Sequence, residues 1–78
     1  MTASLGERLA AANVLVEEAR KLIAAQEQEV ARMRAAGLNP GKAQGLLDAY
    51  RASLRLADQE KTEVEEAMEH EELIKRRR

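Results

Sequence analysis

The five residues Gly37-Leu38-Asn39-Pro40-Gly41 constrain the fold of this chain more than any other stretch. Glycine is the residue a helix takes just past its end, because a backbone without Cβ enters the left-handed region at little cost. Asn39 then offers a side-chain oxygen to the free amides of a new helix. Pro40 suits the first helical position, where its missing N–H costs nothing. Leu38, before that cap, is placed to pack on Ala43 as a hydrophobic staple. Stop, link and start within so few residues predict two antiparallel helices joined by a tight turn. The expected layout is a single all-α hairpin domain over 1–78, with one helix over about 4–36, a turn at 37–39 and a second helix over about 40–75.

The periodicity on the two sides agrees with that layout. Leu5, Leu9, Ala12, Val16, Ala19, Ile23, Gln26, Val30 and Met33 alternate spacings of four and three, the pattern of a heptad stripe in a coiled coil. Ala43, Leu47, Tyr50, Leu54, Ala57, Lys61, Val64 and Met68 repeat it after the turn. Ser4 and Glu7 have capping-box spacing at the first helix, with Thr2 as an alternative cap. Glu17 and Lys21 have the favourable order for a pair one turn apart. Folding the chain back at Gly37 brings Val30 level with Leu47, Ala19 with Ala57 and Ala12 with Val64. The same register sets Gln26 opposite Tyr50, where amide and phenol would satisfy one another and fix the alignment.

The apolar faces are wider than one seam requires. Leu15 and Leu22 flank the first stripe, Leu46 lies beside the second, and Leu56 sits with Ala49 and Ala52 away from both. At 78 residues, with no cysteine, a lone hairpin struggles to offset the ordering entropy of its own chain. Association is the usual remedy. The expectation is a homodimeric four-helix bundle with Leu15, Leu22, Leu46 and Leu56 as its contact positions.

Little in the chain suggests chemistry. His70 is the one histidine, and the position three before it holds Ala67, so the Glu-x-x-His pair of carboxylate-bridged metal bundles is incomplete although Glu66 lies one turn away. The glycines are spaced as helix punctuation, and Ser4 and Ser53 have no base and orienting group around them in sequence. Neither catalysis nor a metal or cofactor is expected. A net charge of −1 argues against a broadly basic nucleic-acid binder. The tail Lys75-Arg76-Arg77-Arg78 complements a helix C-terminus; its alternative use is sequence-independent contact with phosphate, weak without stacking aromatics. No apolar run approaches the ~20 residues that cross a bilayer, and the start lacks the pattern of a signal peptide, so a cytoplasmic protein is expected.

The run from Ala31 to Ala43, with its Gly37-Leu38-Asn39-Pro40 core, followed by Leu46-Leu47-Asp48-Ala49-Tyr50-Arg51-Ala52-Ser53-Leu54, resembles a group of short proteobacterial helical-hairpin proteins. Members of that group often carry histidines after the Ser-Leu segment. This chain has Ala57, Asp58 and Gln59 there, so no role of those histidines transfers. The resemblance implies a hairpin and a bacterial cytoplasmic setting, and no activity. The functional expectation is a small non-enzymatic structural or regulatory protein acting through helix-mediated contacts. The alternative is an adaptor or nucleic-acid-associated protein that uses its basic tail.

Overall fold

The computed structural model describes residues 3–77 and consists of two helices, α1 over Leu5–Ala35 and α2 over Gly41–Arg76. They pack side by side as one antiparallel hairpin whose Cα atoms span 65 × 23 × 14 Å. Neither helix is long and apolar enough to cross a membrane.

Each helix end follows from its own residues. At the start of α1 the Glu7 N–H donates to Ser4 Oγ at 3.1 Å, and the Ser4 hydroxyl donates to Glu7 Oε1 at 3.2 Å. The two residues expected to form a capping box therefore do meet, though the carboxylate accepts from the Ser4 hydroxyl instead of the Ser4 N–H. Thr2, the alternative cap, lies outside the described residues. At the far end Gly37 has φ +75°, and the amides of Gly37 and Leu38 reach the Arg34 and Met33 carbonyls at 3.1 and 2.8 Å. These are the two crossed hydrogen bonds of a Schellman motif, which satisfies carbonyls that a helix end otherwise leaves bare.

The start of α2 differs from expectation by one residue. Pro40 has φ −85° and ψ 11°, outside the helical well, and stands at the cap itself instead of the first helical position. Asn39 nevertheless does the capping, since its Oδ1 accepts from the Gly41 N–H at 2.9 Å. The Pro40 carbonyl accepts the first helical hydrogen bond, from the Gln44 N–H at 2.7 Å. Leu38 stays half exposed, so the expected staple on Ala43 covers little of it.

The seam is the one the spacing predicts. Every position of the α1 stripe is buried or half-buried, as is every position of the α2 stripe except Met68. Val30 and Leu47 line one groove and Ala19 and Ala57 another, which fixes the expected register. The buried side chains are mostly small: Ala12, Val16, Ala19, Val30, Leu47, Ala57 and Val64. Alanines let the helix axes approach, at the cost of contributing little apolar area per residue. The Gln26 pairing is a correction. Its Nε2 donates to the Ala43 backbone carbonyl at 2.9 Å instead of meeting Tyr50. A carbonyl has a second lone pair beyond the one its helix uses, and the long Gln26 side chain reaches toward the turn to take it. Among the described residues no buried side-chain polar atom lacks a partner.

Candidate functional site

An antiparallel pair of helices has two long flanks, one on each side of the seam. Heptad spacing decides which residues line each, because positions seven apart return to nearly the same side of a helix. On one flank lie Glu27 and Arg34 from α1 with Gln44 and Arg51 from α2, around Val30 and Leu47. Here polar side chains reach across the seam. Arg34 Nη2 donates to Gln44 Oε1 at 3.3 Å, and Gln44 Nε2 donates to Asp48 Oδ1 at 3.0 Å. Arg51 lies 3.8 Å from Asp48 and 3.6 Å from Glu27 on the other helix. The network closes this side with groups that water also solvates well.

The opposite flank is apolar. Leu15 and Ala19 from α1 share a groove with Ser53, Leu56 and Ala57 from α2, and Glu60 closes its lower edge. Leu22 lies seven residues after Leu15, and Leu46 seven before Ser53, so both extend the same face toward the turn. The four positions expected from sequence as dimer contacts thus fall on one flank of the hairpin. All four are exposed: Leu15 at 55%, Leu22 at 47%, Leu46 at 44% and Leu56 at 68%. Among the described residues the buried apolar side chains larger than alanine are Val16, Val30, Leu47 and Val64, with Leu5, Leu9, Ile23 and Leu54 half-buried, so four leucines exposed on one flank are a large share of the apolar side chain.

Charged residues rim this leucine face. Arg8 Nη2 and Glu60 Oε1 meet at 2.8 Å across the seam. Nearer the turn, Arg32 engages Glu29 through both Nε and Nη2. The hydrogen bonds and charge of Arg32 hold the Glu29 carboxyl below the usual glutamate range, and Glu29 in turn raises Arg32. Sequence reading already grouped these four leucines as contact positions; the hairpin geometry adds why they share one flank. Leu56 looks solitary along its own helix. It becomes part of a face once the same flank of each heptad is brought together by antiparallel folding.

The remaining candidates are separate from this face or at its edge. Lys75, Arg76 and Arg77 are exposed at the end of α2, with Arg76 Nε 3.9 Å from Glu72; Arg78 lies outside the described residues. Glu66 and His70 are both exposed, and among the described residues no three acidic or histidine side chains gather to hold a metal ion. The expected Glu17–Lys21 pair is not among the ion pairs of the described residues, although both side chains line one shallow surface with Asn13 and Val14. α2 runs on past the start of α1, which leaves Leu73 and Ile74 half exposed beside His70 and Arg77. No family model, no curated protein and no solved structure matches this chain.

Proposed function

We propose that this protein is a small non-enzymatic structural or regulatory protein that works by helix-mediated contacts, first of all with a second copy of itself. The leucine face carries the reading: four exposed leucines on one flank of a hairpin whose enclosed residues are mostly alanine and valine. Below ~80 residues a single core rarely supplies more than about 3–5 kcal/mol, and this core is thin even for that size. Two hairpins that press their leucine faces together give a four-helix bundle with each helix touching two neighbours, which is what the wide apolar stripes call for. The bacterial cytoplasmic setting implied by the resemblance suits a protein of this type.

Light scattering at micromolar concentration tests the reading directly. The expected mass is about twice the 8.7 kDa of one chain. A monodisperse, fully helical monomer overturns it.

A further inference from the structure

The charges around the leucine face are not evenly distributed, and their arrangement bears on how a second copy would lie there. Arg8 with Glu60 and Arg32 with Glu29 are satisfied within the chain. Along the part of this face that both helices build, Lys42 and Glu63 are exposed and have no ion pair among the described residues. Lys42, fourteen residues before Leu56, lies at the turn end, and Glu63, seven after Leu56, lies toward the open end; Arg77, fourteen after Glu63, is exposed where α2 runs on past the start of α1. Where both helices build the face, its unpaired charge is positive near the turn and negative toward the open end.

We propose that the second copy docks on the leucine face antiparallel to the first, with its turn at the first copy's open end, so that Lys42 of each chain meets Glu63 of the other. This rests on self-association through that face. A two-fold axis through the level of Leu22 and Ser53 brings Leu46 of one chain level with Leu15 of the other and interleaves the remaining leucines. The same axis lays α2 on α2 and sets Lys42 of one chain within about one helical turn of the level of Glu63 of the other. It also carries the half-exposed Leu38 of each turn to within about one helical turn of the level of the overhanging Ile74 of the other chain. Two exposed apolar spots at opposite ends of the hairpin thereby find partners. The parallel alternative brings both copies of Lys42 to one end and both copies of Glu63 to the other, and like charges held at one level oppose association.

Distance measurements between spin labels test the arrangement. The chain has no cysteine, so His70→Cys at the open end and Ala36→Cys at the turn each take a single label at an exposed position. In the dimer, chains labelled alike should show interchain distances of about 40–50 Å. A mixture of the two labelled proteins should add a short distance below about 20 Å, the reach of two labels on packed helices. Glu63→Lys should weaken association about tenfold at low salt, and Lys42→Glu in the same chain should restore most of it. A dimeric mass with short distances between like labels overturns the antiparallel arrangement while self-association stands. No restoration by Lys42→Glu overturns the charge pairing that selects it. A monomeric mass overturns both the arrangement and the reading beneath it.

Discussion

The two flanks of the hairpin border the same seam, are built from the same two helices and occupy equivalent heptad positions, yet they end in opposite states. On one, Arg34, Gln44, Asp48, Arg51 and Glu27 pass contacts from helix to helix, and every group in the chain of contacts also faces water. On the other, Leu15, Leu22, Leu46 and Leu56 face water with nothing across from them. The ion-paired flank needs no cover, because exposed charge pairs are close to neutral in free energy whether made or broken. The leucine flank gains from cover by roughly 25 cal/mol for each Å² of apolar surface removed from water. The difference teaches where a partner belongs: burial would be favourable on one side of this molecule and costly on the other.

The sharpest way to break the comparison is Leu22→Glu. A carboxylate at the centre of a covered face must be desolvated or must hold a gap open, so the variant should lose more than about 2 kcal/mol of association, some thirtyfold in dissociation constant. Sedimentation should show monomer at concentrations where the parent is dimeric, with a lowered melting temperature. An unchanged melting temperature would mean the covered face lies elsewhere.

A smaller effect, shared by both flanks, comes from the turn. Gly37 at φ +75° has open space where a Cβ would sit, so Gly37→Val meets no neighbour and its cost is backbone strain alone, about 1–2 kcal/mol. Removing the cap with Asn39→Ala should cost about 1 kcal/mol. Chemical denaturation should show both losses to be independent of protein concentration beyond what the dimer equilibrium carries. A neutral Gly37→Val would mean that the chain does not turn there.

On the paired flank, Arg51→Ala should cost less than about 0.5 kcal/mol, because Arg51, Glu27 and Asp48 are all about half exposed. A loss as large as that of Leu22→Glu would reverse the assignment of the two flanks. The smallest effect concerns Glu29. Its carboxyl titrates below the usual range because of Arg32, so its contribution is fully present above the ordinary glutamate pKa and is lost as pH falls through the lowered value. Glu29→Gln should therefore flatten the acid limb of the stability curve slightly, and leave stability near neutral pH almost unchanged. A steeper acid limb in that variant would contradict the pairing.

What could be read from sequence was what depends on local chemistry and on period. Gly37 announces its left-handed backbone, Ser4 and Glu7 announce a cap, and the alternation from Leu5 to Met33 marks the buried stripe before any fold is known. Three details were not legible, each for a reason. The partner of Gln26 depends on which way a long, flexible side chain extends, and level in the register does not decide that. Met68 falls on the stripe, but α1 begins only at Leu5 and encloses little near that end. Pro40 stands outside the helix because the Asn39 cap leaves its ψ near 11°. The grouping of Leu15, Leu22, Leu46 and Leu56 was legible, since in an antiparallel pair the same flank of both heptads meets on one side. It requires reading the two helices together instead of one at a time.

The tight turn has a mechanical consequence. Because it sends α2 back along α1, the two outer helix ends lie together at one end of a rod 65 Å long. A force applied between those ends would not load the seam all at once. It would part the helices layer by layer, first Arg8 from Glu60, then the Ala19–Ala57 level, and last the Val30–Leu47 level beside the turn. Pulled this way the chain opens like a zipper at low, nearly constant force, while the same seam pulled lengthwise, one helix sliding past the other, would resist as a whole. Release would let it close again from Gly37 outward, starting from the contacts with the shortest loops.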